Sequence, residues 1–369
     1  MVGGVKGSVM KLTSDFMPSI GPPPPGTNST TPYQNVFVIA LCAPIFEEEL
    51  KSNSSSLKSI QSHPKFIKMT QTNSEGKYQI PSTERRNDLP NLKRFSLMCC
   101  RSFQGFDNVI VRLLHRMIYL EELTLYLNIF GGSKFIAGTH LDNEILIHMP
   151  QLHTFIFYIA SENVIDYPTI RVSNDDIQRT FTNLEHRQVA CMVDYFEPYE
   201  MIRRVFSLPF KFHLLERIGN NIPNIVFNSV TYLKLWDIDP FKYEFFVRLA
   251  RAFPFLKNLS IRNIIPPFLD KNYHLRDKDW LSIIEYPHLI SLDMERANSY
   301  YLENFLNETK TYSPHLTELK VTYYALEIVT NNFTRNETRR NCAGVRQLIA
   351  EGPMVYSKDV YCYFPLLSV

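Results

Sequence analysis

Glycine is scarce in this chain, 13 of 369 residues, and the few present never form G-x-G-x-x-G, G-x-x-x-x-G-K-[ST] or G-x-S-x-G. That removes the loops that cradle a dinucleotide or nucleotide phosphate, and the strained turn that presents a nucleophilic serine. An excess of one charge is also missing. Against 37 acidic residues stand 39 Lys and Arg, a net charge of +2, which gives no field to draw in nucleic acid or an anionic membrane. The longest apolar run, Val36 to Phe46, is interrupted by Pro44. A membrane span needs about 20 apolar residues. Met1 to Met10 shows no charged region followed by an apolar stretch, so no secretory leader is expected. The six cysteines (42, 99, 100, 191, 342 and 362) form no C-x-x-C pair. They read as reduced, buried thiols of a cytoplasmic or nuclear protein. The sequons at Asn28, Asn53, Asn258, Asn307, Asn332 and Asn336 then read as chance matches.

Catalytic constellations are lacking as well. His148 and His153 lack the spacing of a helical metal pair, and His288 and His315 both stand just before a recurring leucine. His274, Asp277 and Asp279 read as a helix-capping loop. Cys191 and Cys342 have no argued His and Asp partners. Arg335, Arg339, Arg340 and Arg346 read as a solvated surface beside Glu337 and Glu351. The sequence therefore leads to no catalytic residue, no metal, no cofactor and no enzyme.

What is present is a recurring phrase, P-x-L-x-x-L-x-L. It stands complete at Pro254-Phe255-Leu256-Lys257-Asn258-Leu259-Ser260-Ile261 and returns at Pro90, Pro150, Pro287 and Pro314. This is how a leucine-rich repeat opens. The first anchors are Leu92, Leu120, Leu152, Leu184, Val230, Leu256, Leu289, Leu316 and Val345. They are separated by 28, 32, 32, 46, 26, 33, 27 and 29 residues. Helix signals fill the intervals. Phe106 to Met117 places Val109, Leu113 and Met117 on one stripe, with Asp107 or Asn108 as cap. Asn174 to Asp176 caps a helix through Ile177 and Phe181. Further helices are read at Phe245 to Phe253, after Asp279 through Ile283 and Ile284, and at Tyr301 to Tyr312. Strand and helix in alternation imply an α/β fold, a right-handed leucine-rich-repeat solenoid. Its parallel sheet would line the concave face and its helices the convex face, in irregular repeats of about 26–33 residues. Residues 1–33, with the proline run at 22–25, read as a disordered tail, and 34–88 as a degenerate first repeat and loop. Residues 89–369 read as the solenoid, with an irregular insertion at about 190–228 where Glu200 to Leu208 and Leu214 to Ile218 look helical.

Two expectations follow position by position. The slot three residues past an anchor should carry Asn or Cys to bond the neighbouring turn. Cys100 and Asn128 fit, but Ala160, Ile238, Ile264, Ala297 and Tyr324 do not, so an asparagine ladder should be mostly missing. Because side chains alternate along a strand, the residues between anchors should face outwards. The partner-binding candidates among them are Tyr126, Ile156, Tyr158, Tyr232, Lys234, Trp236, Arg262, Asp293, Glu295 and Glu318. Aromatic residues beside charge are a common composition for a protein-binding surface.

The irregular repeat resembles the leucine-rich-repeat portion of F-box proteins, and F-box-like proteins of one expanded invertebrate group in particular. The resemblance is carried by Phe241 to Phe246, Glu285 to Leu289, Val329 to Thr334, Thr338 to Ala343 and Tyr363 to Leu367. It implies a substrate receptor of a ubiquitin ligase, with the repeats holding a protein and an F-box docking on the ligase adaptor. Residues 1–88 carry no F-box pattern of Leu-Pro, an acidic residue and paired Leu-rich helices. A stand-alone scaffold and a truncated, non-functional copy are the alternatives.

Overall fold

The structure, a computed structural model, describes residues 36–41, 92–131, 136–164, 173–181, 188–196, 200–267, 282–352 and 358–367. The expected tail at 1–33, most of the segment 34–88, the anchor Leu184 and the stretch from His274 to Asp279 lie outside the described residues. The fold is α/β. The chain divides into two compact units: Met1–Val193 with Tyr199–Leu208, and Asp194–Pro198 with Pro209–Val369.

In the first unit, β1 (Val36–Leu41), β2 (Arg94–Phe103), β3 (Glu122–Phe130) and β4 (Thr154–Val164) pair in parallel. Arg94 stands against Glu122 and Glu122 against Thr154, each two residues past an anchor leucine. β5 (Val189–Phe196), whose last three residues count with the second unit, and β6 (Glu200–Ser207) complete a mixed sheet ordered β1-β2-β3-β4-β6-β5, with β6 antiparallel to β4. After β2, a π-helical turn at Phe106–Val111 runs into α1 (Arg112–Leu114). Its N-cap is Gly105 at φ 89°, without a side-chain cap. The expected cap Asp107 bonds His140 at 2.8 Å instead. α2 (Gly138–Glu144) starts at a glycine for a packing reason, since a Cβ there would lie 2.5 Å from the Thr180 carbonyl oxygen. α3 (Asn174–Gln178) begins with a capping box between Ser173 and Asp176. The cap thus lies one residue before the stretch expected to supply it.

In the second unit, β7 (Leu214–Ile218), β8 (Tyr232–Trp236), β9 (Asn258–Asn263), β11 (Ser291–Ala297), β13 (Glu318–Thr322) and β14 (Gln347–Glu351) form a wholly parallel sheet, ordered β14-β13-β11-β9-β8-β7. A two-stranded ladder pairs β10 (Ile284–Glu285) with β12 (Thr311–Tyr312). Parallel neighbours need crossovers, and helices occupy several of them. α4 (Tyr243–Ala252) buries Phe245, Phe246, Leu249 and Ala252. Glu244 in its first turn and Arg251 in its last suit the helix dipole, and Pro254 stops it. α5 (Ser299–Leu306) is capped by the Asn298 side chain and α6 (Tyr323–Thr330) by Thr322. α7 (Arg339–Cys342) and α8 (Lys358–Tyr363) follow. The buried Asn341 side chain donates to the Phe305, Leu306 and Thr311 carbonyls, the first two being orphan acceptors at the end of α5.

One hydrogen-bond pair recurs where strands begin. The Lys93 carbonyl accepts both Glu121 and Glu122 N–H, and the Glu121 carbonyl accepts those of His153 and Thr154. In the second unit the His213, Thr231, Lys257, Ile290 and Thr317 carbonyls each accept two successive N–H groups from the next strand's entry. The residue before each entry pair is an anchor: Leu120, Val230, Leu256, Leu289, Leu316 and Val345 are 0–2% exposed, while Leu152 is partly exposed. Burying one such side chain contributes about 1.5–3 kcal/mol. The recurring leucine thus fills the core while the backbone beside it fixes the register.

Four element assignments change. Glu200–Ser207 and Leu214–Ile218 are strands β6 and β7, not helices. β6 is buried at all but two positions, and a short buried run has no single apolar face from which to distinguish helix from strand. Ile284 lies in β10 and Tyr312 in β12, not in helices. Strand and helix therefore do not simply alternate.

Candidate functional site

The expected binding residues fall into two groups. In the first unit, Tyr126 is 0% and Tyr158 1% exposed. Their rings stack at 4.5 Å, and Phe206 on β6 lies 6.5 Å from Tyr158. Every residue from Phe157 to Ser161 of β4 is buried, as are Val205 to Ser207 of β6. Both faces of the sheet are covered here, so alternation no longer sends every second side chain to solvent. Tyr126 and Tyr158 are core residues, which corrects the expectation that they line a surface. Ile156 remains partly exposed.

In the second unit the face opposite the leucines is open. Tyr232, Asn258, Ser291, Glu318 and Gln347 form one row across it, and Lys234, Ser260, Asp293, Lys320 and Ile349 the next. The third row runs through Trp236, Arg262 and Arg296. Glu295 does not occupy that row as alternation predicts. A register shift between Asp293 and Arg296 turns Glu295 aside, where its N–H donates to Asp293 Oδ1 and its carboxylate meets Lys320 Nζ at 2.6 Å.

Trp236 is the aromatic centre of this face. The Arg217 guanidinium stands 4.3 Å from its ring centre and that of Arg262 5.3 Å, while Phe196 stacks on it at 5.4 Å. Arg217 has φ 56° at a register shift in β7. Such bulges re-aim side chains, and this one presents Arg217 to the indole. Beside it Lys234 Nζ bonds Glu216 at 2.6 Å and lies over the Tyr232 ring. Burial opposes the Lys234 charge, but the Glu216 carboxylate outweighs it and the ammonium pKa stands raised. Burial also raises the Tyr232 phenol. The Glu295 carboxylate raises Lys320 through their hydrogen bond.

The turns beyond the strands hold more asparagine bonds than the slot count suggests. Asn128 Nδ2 donates to the Cys100 carbonyl at 2.9 Å, as its position predicts. Asn220 and Asn263 both donate to the Asp239 carbonyl, and Asn298 to that of Ile264. Asn263 and Asn298 stand one residue before and one after the slots given to Ile264 and Ala297. Asp237, itself buried, accepts the Asn220 backbone and side-chain N–H groups and the Asp239 N–H. A side-chain ladder therefore rims this end of the sheet, displaced from the regular count.

Nucleophilic chemistry is poorly served. Burial pushes the Cys191 thiol up to about 11 and also raises Cys342, which disfavours thiolate at neutral pH. Among the described residues no group of three or more His, Cys, Asp or Glu could hold a metal ion, and no helix is long and apolar enough to cross a membrane. Arg217, Glu216 and Arg296 were missed in the sequence. The first two sit in a segment read as a helix, and the third is placed by a bulge that no residue type announces. Compared with family models, curated proteins and solved structures, the chain gives no match.

Proposed function

We propose that this chain is a non-enzymatic protein-binding module whose partner docks on the open face of the second sheet. One observation carries the reading: Trp236 lies on that face with two guanidiniums over its ring, among paired and unpaired charges. Rigid aromatic and arginine side chains contribute most to protein interfaces. The partner-binding set is Tyr232, Lys234, Trp236, Arg262, Asp293, Glu295 and Glu318, joined by Arg217 and Arg296. Ile156, on β4 of the first unit, is left out of this set. The in-register strands and the repeated entry bonds support a leucine-rich-repeat solenoid with irregular repeats of about 26–33 residues.

The resemblance to F-box leucine-rich-repeat proteins makes a ubiquitin-ligase substrate receptor the leading role. The absence of an F-box pattern from residues 1–88 favours a second reading, a scaffold without a ligase link. Co-precipitation with purified ligase adaptor, run beside an F-box protein, separates them. Retention of the adaptor supports the receptor. No retention beside a positive control leaves the scaffold.

A further inference from the structure

We propose that the carboxyl ends of β7, β8, β9 and β11 form a receptor for an acidic peptide segment, held by Arg217, Arg262 and Arg296 around Trp236. This rests on the reading of the face as a protein-binding surface and specifies the chemistry of its partner. In open α/β sheets, ligands collect at the carboxyl ends of the strands. Here each of four neighbouring strands brings one large side chain to that end, Arg217, Trp236, Arg262 and Arg296, and three of them are cationic.

Charge complementarity selects the partner. The lysines of the same face are already neutralised, Lys234 by Glu216 and Lys320 by Glu295. Arg262 and Arg296 are exposed and make no ion pair among the described residues. Adjacent strands lie about 4.8 Å apart, so the charges of Arg262 and Arg296, in register on β9 and β11, stand side by side and repel until an anion arrives. A guanidinium fork matches a carboxylate with two parallel hydrogen bonds. Between the forks the indole offers a flat apolar surface. Two residues past Arg262, Ile264 is 76% exposed and offers a second apolar contact.

A continuous polyanion fits poorly. Asp293 and Glu318 lie on the same face and repel a nucleic-acid backbone that extends over the sheet. A peptide can place its carboxylates on the arginine row and turn neutral or basic residues towards those acids. The structure thus selects a short acidic segment with an aromatic or aliphatic residue inside it.

The test measures fluorescence anisotropy of the full chain with three labelled probes: a Glu-rich peptide with one central Phe, its Lys-for-Glu counterpart, and oligothymidine. The acidic peptide is expected to bind, and salt should weaken it. Arg262→Glu with Arg296→Glu should lower its affinity on the order of tenfold or more, and the thermal midpoint should fall no further than in Trp236→Ala, because both side chains are exposed and Arg262 stands over the indole. Lys242→Glu with Arg251→Glu, exposed at the two ends of α4, is the charge-matched control and should bind as the native chain does. Failure of the acidic peptide to bind, equal binding by the double variant, or tighter binding of oligothymidine overturns the proposal. A protein partner that depends on Tyr232 and Lys234 but ignores the double variant would overturn this inference and leave the wider reading intact.

Discussion

Tyr158 and Trp236 look alike in the sequence, both being aromatic side chains between recurring leucines. Their energetics differ. Tyr158 is enclosed between the Tyr126 ring and Phe206, so Tyr158→Ala opens a cavity and should destabilise by about 3–5 kcal/mol. Trp236 is partly exposed, and Trp236→Ala should remove about 1–2 kcal/mol of ring stacking with two guanidiniums. Urea midpoints of the two variants check this, and equal losses would contradict the assignment of one to the core and the other to the surface. His213 makes a pH-dependent prediction. Burial holds its imidazole down to about 4 from 6.5. The unfolded chain therefore binds a proton that the folded chain refuses as pH falls below 6.5. Stability from this residue is whole above 6.5 and is lost as pH drops towards 4, by up to about 3 kcal/mol. His213→Gln should flatten that dependence, as read from urea midpoints near pH 7 and pH 5. An unchanged slope would show that other groups set it.

At the scale of elements, the ladder at the carboxyl ends of the strands ties one turn to the next. Asn263 is 2% exposed, its Nδ2 donates to Asp239, and its Oδ1 accepts the Ile265 N–H. Asn263→Ala leaves both partners without it and should cost about 2–3 kcal/mol. Asn128→Ala, which breaks one partly buried bond, should cost about 1 kcal/mol. Thermal melts of the pair should preserve that order, and a larger loss at Asn128 would contradict it. This scale also shows how much was legible. Strand positions and register could be read because each anchor leucine is tied to a backbone entry bond, so spacing alone located β2, β3, β4, β8, β9, β11 and β13. Glu200–Ser207 was not legible, because burial on both faces erases the periodicity that separates strand from helix. The outward positions were legible where one face stays open, as at Tyr232, Lys234 and Trp236. They failed at Tyr126 and Tyr158, where neighbouring strands cover both faces. Arg296 took the place given to Glu295 because a bulge breaks the two-residue period.

For the whole molecule, the proposed function lies on an exposed sheet face rather than in a reactive pocket. The two units differ in this. In the first, β4 to β6 are buried on both faces over much of their length, whereas in the second the face opposite the core presents charge and an indole across five strands. The measurement that tests the claim most directly is parallel affinity capture from the protein's own cells with two baits, the native chain and Trp236→Ala with Arg262→Glu. Both baits are first shown to unfold cooperatively in urea, with unfolding free energies within about 2 kcal/mol of each other. The account predicts a stoichiometric protein partner on the native bait that is lost from the variant. The same partner retained equally by both would contradict it and move the binding surface off this face.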